Sequence, residues 1–306
     1  MAKLGLRYYA TFMVVVTFVL VIAGALVTST GSALAVPDWP LSFGQVFPPM
    51  VGGVLYEHGH RLVATSVGLL TIVLAFWLWR EAREPLLKKA GWIALAMVCA
   101  QGVLGGVTVI LKLPAVTSIG HACLGQIFFS WMCCIAAMAW SSAVIPAGCK
   151  PGSIMVDPPP VTAGDDIRRL RRLALMTTGF VFLQLVFGAI YRHIGILLHL
   201  HFLGAALVLI HGILLYKRVK KTAAADAWFL RPAAGLLGLI VVQIGLGLCT
   251  WQYPTVLDAT AHVATGALIL ATSAVITMMS FRRKPESRAL DWAPASAGVT
   301  TSTLDE

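Results

Sequence analysis

A chain of 306 residues that is 58% hydrophobic, only 12% charged and of mean hydropathy +0.84 is not a soluble globular protein; it reads as one that crosses a membrane several times. Its net charge of +10 would suit a nucleic-acid binder, but the placement of the basic residues is a topology signal instead.

A helical span takes about 20 apolar residues. Eight windows qualify, at 10–30, 57–79, 90–111, 117–140, 172–190, 196–216, 229–250 and 258–281. The first is too long and continuous for a removed signal peptide, and no small-residue cleavage site follows it. Lys3 and Arg7 precede span 1, and Arg80, Arg83, Lys88 and Lys89 join spans 2 and 3. Lys150, Arg168, Arg169, Arg171 and Arg172 lie between spans 4 and 5; Lys217, Arg218, Lys220, Lys221 and Arg231 lie between spans 6 and 7. Arg282, Arg283, Lys284 and Arg288 follow span 8, whereas the alternate loops hold only Lys112 and Arg192, with Arg61 at a span edge. By the positive-inside rule both termini are cytoplasmic, in a multi-pass protein of the cell inner (plasma) membrane. Cys99, Cys123, Cys133, Cys134 and Cys249 fall within spans and Cys149 on the cytoplasmic side. That placement argues against a disulfide framework and for small buried hydrophobes.

The Pro/Gly-rich stretch at 141–171 separates residues 1–140 from 172–281, with a tail at 282–306. The two halves repeat one another. GALVTSTG (24–31) ends span 1 and GAIYRHIG (188–195) ends span 5; QGVLGG (101–106) in span 3 matches QIGLGL (243–248) in span 7. His60 and Leu62 open span 2 as His201 and Leu203 open span 6, and His121 and His262 open spans 4 and 8. From His60 to His121, and again from His201 to His262, the interval is 61 residues. The predicted fold is therefore an all-α membrane protein of eight transmembrane helices, arranged as two pseudo-symmetric four-helix bundles in parallel repeat. The glycines of spans 3 and 7 permit close helix approach.

All four histidines fall in the first turns of even-numbered spans, so they share one layer near the external face. Two helices in each half aiming an imidazole inward at one depth is the geometry of bis-histidine heme ligation in a bundle. A structural zinc site is the competing reading, but it wants four ligands including thiolates, and no cysteine shares the repeat. His58 and His199 preserve the spacing too, and residues two apart point about 200° apart on a helix. Glu57 lies three residues before His60, on the same face, which favours His60 if the carboxylate belongs to the site; spacing leaves the choice open. His211 has no partner in the other half and reads as structural, and His193 as loop-facing.

EHGHR (57–61), TGSALAVPDWPLSFG (30–44) in the preceding loop and His121 on span 4 together resemble the heme A synthase family, assembly factors for heme-copper oxidases. The resemblance covers residues 8 to 282. It implies oxidation of the C8 methyl of heme o to a formyl group, giving heme a, through successive hydroxylations. It also implies that His60 and His121 serve the substrate heme, that His201 and His262 ligate a heme b, and that Glu57 is the catalytic carboxylate. Heme o synthase and the oxidase assembly pathway are the implied partners, with an unidentified electron donor; a homo-oligomer is compatible with it, and nucleic acid is not expected. Many members carry a cysteine pair flanking P-D-W-P, where this chain has Ala35 and Ser42, so electrons cannot pass through a thiol pair there.

The residues themselves carry the same asymmetry. The repeat interval of 141 sets Leu198 opposite Glu57 and Phe202 opposite Arg61, and the loop before span 2 is about 23 residues longer than its counterpart before span 6. Only the first half has an acid, a guanidinium and a covering loop beside its histidine. Arg61 is a candidate partner for a heme propionate, or else an external anchor. Asp38 and Trp39 either cap the site or shape a Pro-bounded turn. An electron-carrying cytochrome b is the alternative function, and a transporter, which leaves the paired histidines unexplained, the third.

Overall fold

In the computed structural model, residues 4–141, 163–223 and 227–282 are described. Most of the 141–171 linker, nearly all of the 282–306 tail, and Lys3, Cys149 and Lys150 lie outside them. The described chain forms α1 (Leu4–Ser29), α2 (Gly53–Glu81), α3 (Pro85–Ile110), α4 (Ala115–Ser141), α5 (Ala163–Ile194), α6 (Leu198–Ala223), α7 (Ala227–Gln252) and α8 (Val256–Arg282). Each is long and apolar enough to span a bilayer. A helix satisfies its own backbone in lipid, and its buried hydroxyls do likewise: Thr17 and Thr71 donate to the carbonyls of Met13 and Val67, four residues back, at 2.6 and 2.7 Å.

Neighbouring helices pack in a ring of four in each half, α1–α2–α3–α4 and α5–α6–α7–α8, closed by contacts of α1 with α4 and of α5 with α8. Each ring encloses its own apolar core, one around Leu6, Leu74, Phe128 and Ile135 and one around Leu170, Leu215, Leu236 and Ile276. The halves meet mainly along α4 and α8, where Phe129 packs on Ala267 and Ala271. Outward faces are equally apolar, as at Leu69, Val103 and Val241, which suits contact with lipid. Cys134 is buried as expected, but Cys99 and Cys249 lie on these outward faces, where lipid is as favourable a surrounding as protein.

Other polar groups bridge neighbouring helices or close their ends. Tyr9 Oη donates to Leu70 O (2.9 Å) between α1 and α2, and Trp131 Nε1 to Ala90 O (3.0 Å) between α4 and α3. Arg282 pairs with Glu84 (2.9 Å) and Arg218 with Asp166 (3.0 Å) at the end opposite the histidines. Gly31, at φ 68°, ends α1, with the Ser32 amide reaching back to Val27 O. The connection to α2 then runs through residues 30–52, while that from α5 to α6 takes only 195–197.

Candidate functional site

α2, α4 and α8 begin two to four residues earlier than hydropathy indicates, most of all α2, which incorporates the polar run YEHGHR. His60 therefore stands two turns into α2, and His121 and His262 lie in the second turns of α4 and α8; only His201 lies in a first turn. The shared layer persists, set deeper than the helix ends.

His201 and His262 face each other with ring centroids 6.2 Å apart and planes at 68°. A metal–imidazole bond of about 2 Å, with the ring centroid about 1 Å behind the nitrogen, separates two such rings by about 6 Å. The pair thus has the spacing that one shared iron requires. His60 lies within electrostatic reach of His121 in the first half. In all four rings Nδ1 is buried without a hydrogen-bond partner. Among the described residues no three His, Cys, Asp or Glu side chains gather at one point. The donors come in pairs, which suits the two axial positions of a heme.

The neighbouring histidines are occupied otherwise. His58 is buried, with Nδ1 2.8 Å from Ser42 Oγ in the loop; His199 is exposed. His211 packs on Phe180, with centroids 4.5 Å apart. Sequence spacing could not separate His58 from His60, because the deciding contact comes from a loop residue 16 positions away.

Loop 30–52 is bound to α2 through Arg61. Nη1 donates to Asp38 O (2.7 Å) and Leu41 O (3.0 Å); Nη2 donates to Val36 O (3.0 Å) and to Glu57 Oε1 (2.6 Å). All four Nη hydrogens are thereby used, leaving Nε–H. A propionate could be clamped only by surrendering loop contacts, so the structure gives this guanidinium an anchoring position. Glu57 is buried and accepts from the Val36 amide through Oε2 at 2.7 Å. Its ionised form is thus held by a guanidinium and a backbone N–H.

Asp38 shapes the loop rather than meeting a ligand. Its oxygens accept from the amides of Gly44 (2.9 Å) and Phe43 (2.7 Å), which hold the carboxyl below the usual carboxylate range. Phe43 and Gly44 both have positive φ, and Ser42 and Gln45 exchange backbone bonds across them, as in a tight hairpin turn. Trp39 reaches α3 and lies over Gly106, where a Cβ would come within 2.6 Å of the indole. Ala35 packs on Gly53, and Ser42 bonds His58. In the second half Phe202 packs on Trp251, with no acid at Leu198. There Arg192 Nη2 donates to Ser29 Oγ (2.8 Å), which also accepts from Thr260 (3.2 Å), tying α5, α1 and α8 together.

Three glutamines escaped sequence reading. Gln101 and Gln184 donate to the backbone oxygens of His121 (2.9 Å) and His201 (2.8 Å), and Gln243 Nε2 lies 3.3 Å from His262 Nε2. The signal was present: Gln101, Gln184 and Gln243 each precede by four residues a glycine that abuts the histidine.

The family model described as cytochrome oxidase assembly protein, COX15-CtaA, matches residues 50–200. That stretch includes Glu57, His60, Arg61 and His121 and stops just before His201. A heme A synthase of Shouchella clausii is 39% identical over 110 residues, covering 35% of this chain and 36% of the relative. Those of Alkalihalophilus pseudofirmus and Symbiobacterium thermophilum are each 34% identical, over 109 residues (34% and 36%) and 122 residues (38% and 38%). The matches thus span little more than a third of the length of these curated relatives.

Proposed function

We propose that this chain is a member of the heme A synthase family, to which residues 50–200 and several relatives point, and that it oxidises the C8 methyl of heme o to a formyl group, yielding heme a for heme-copper oxidases. The observation that supports the reading best is the inequality of the halves. Both hold a histidine pair, but only the first sets a buried Glu57–Arg61 pair under a folded loop beside its histidine. His60 and His121 would hold the substrate heme, and His201 and His262 a retained heme b.

The bound iron supplies the oxidising chemistry. The chain's own part is placement. Trp39, seated on Gly106, and the hairpin turn fixed by Asp38 hold the loop in place over the first half. Glu57 is the candidate catalytic carboxylate: Oε2 can receive a proton once the Val36 amide gives way, and the ionised form stabilises positive charge developing nearby. Ala35 and Ser42 offer no thiols, so electrons reach the site by another route, from a donor still to be identified.

Both termini are proposed to be cytoplasmic, with the histidine layer toward the external face and heme o synthase upstream in the same assembly pathway. An electron carrier spanning the membrane would want iron near both faces, whereas the four candidate ligands share one layer. Co-expression with a source of heme o, followed by extraction and chromatography of the pigment, tests the function. Heme a is the expected product; unconverted heme o beside a folded, heme-loaded protein would overturn it.

A further inference from the structure

One contact recurs in all four helix hairpins. Gly24 on α1, Gly105 on α3, Gly188 on α5 and Gly247 on α7 each face the ring of the histidine on the following helix. A Cβ at these glycines would lie 3.1, 2.9, 2.9 and 3.0 Å from Cε1 of His60, His121, His201 and His262 respectively. Nδ1 is next nearest and Nε2 third in every case, at 3.6–4.0 Å. Each ring therefore presses its Nδ1–Cε1–Nε2 edge against bare backbone.

We propose that these glycines are positioning residues that fix the rotation of the four imidazoles, and that Gly188 and Gly247 hold the planes of His201 and His262 crossed. The proposal rests on the reading of His201 and His262 as axial ligands of a retained heme. A close-packed interior transmits such a contact directly, since a methyl group added at 2.9 Å must displace the ring or the helix. The 68° between the two planes then has an electronic consequence. Each imidazole raises the iron d orbital perpendicular to its own plane. Crossed planes raise two orbitals nearly alike, whereas parallel planes separate them. A ferric low-spin centre of the crossed kind gives one paramagnetic resonance feature at unusually high g.

The test uses the full-length protein with the heme it retains on purification, examined in the ferric state by low-temperature electron paramagnetic resonance. The wild type is expected to show the high-g feature. Gly188→Ala and Gly247→Ala should each move it to lower g, or convert the signal to high spin as a ligand is lost. Gly179→Ala on α5 and Gly245→Ala on α7 are the controls, because a Cβ at either position meets nothing within 4 Å; their spectra should match the wild type. Unchanged spectra in both test variants would overturn the proposal, as would equal shifts in the controls. Should Gly188→Ala fail to fold, Gly247→Ala, with the less crowded contact of 3.0 Å, decides alone. A folded wild-type protein that retains no heme would overturn the ligand reading itself, and is distinguished by its absorption spectrum.

Discussion

Removing the Arg61 side chain should release the loop that covers the first half. Its guanidinium supplies three bonds to loop carbonyls and one to Glu57, with side-chain exposures of only 15% for Arg61 and 5% for Glu57. Deleting one partner of a buried ion pair costs about 3–5 kcal/mol, because the remaining charge is stranded. At about 1.4 kcal/mol per decade, that is roughly a 10²- to 4 × 10³-fold increase in local opening. The reporter is the Val36 amide, which donates to Glu57 Oε2 and should lose hydrogen-exchange protection by that factor in Arg61→Ala. Arg61→Lys should recover only part of it, since a point ammonium cannot serve four acceptors in two directions. The loss should be smaller when Arg61→Ala is made in a Glu57→Gln background, where no charge is stranded. Unchanged Val36 protection in Arg61→Ala would refute the anchoring role and free the guanidinium for a propionate.

Three further outcomes are expected. Glu57→Ala should stay folded and heme-loaded while conversion of heme o falls by about 10²- to 10⁴-fold, measured by pigment chromatography; near-full conversion would reduce the carboxylate to a loop tether. A variant with all six cysteines replaced by Ala or Ser should keep its turnover, and a specific loss in a well-folded protein would show that a thiol takes part. Asp38 has a carboxyl held below its ordinary value of 3.8 by the Gly44 and Phe43 amides, so its contribution is present above that value and lost as pH falls through the depressed one. The turn at 43–44 should therefore loosen only in strong acid, and Asp38→Asn should abolish that acid step in the protection of the two amides.

The eight spans were legible because a bilayer imposes a single length scale on apolar runs, and the halves were legible because a repeat preserves intervals. Helix starts were less so: at α2 the hydropathy window opened at residue 57 and missed the first turn, which begins at Gly53. What the sequence could not place was the loop. The contacts of Val36, Asp38, Leu41 and Ser42 with α2 reach across 16 to 25 residues, and no periodicity reports them. Arg61 shows the cost of that blindness. As a basic residue at a span edge it fitted a propionate clamp, and only the loop's fold reveals three carbonyls already on its Nη atoms.

The glutamines and glycines expose a smaller unit of repetition than the half. In α3, α5 and α7 a Gln stands four residues before the glycine that backs a histidine, and each Gln lies against a glycine of the following helix: Gly125, Gly204 or Gly266. The first hairpin keeps Gly24 and His60 but has Leu20 where the others have Gln and Ala64 where Gly125 and Gly266 stand. It is also the hairpin with Glu57, Arg61 and the long loop. Three hairpins thus set a Gln against the histidine-bearing helix, two of them on the histidine's own backbone oxygen and the third on its ring, whereas the first has a tether made by the loop. The residues that set the halves apart are therefore concentrated in a single hairpin, α1–α2, whose glycine–histidine contact matches the other three. If chemistry distinguishes the two halves, it should follow that hairpin: Leu198→Glu in α6, which adds an acid without loop or guanidinium, should leave the second half unable to oxidise a bound heme.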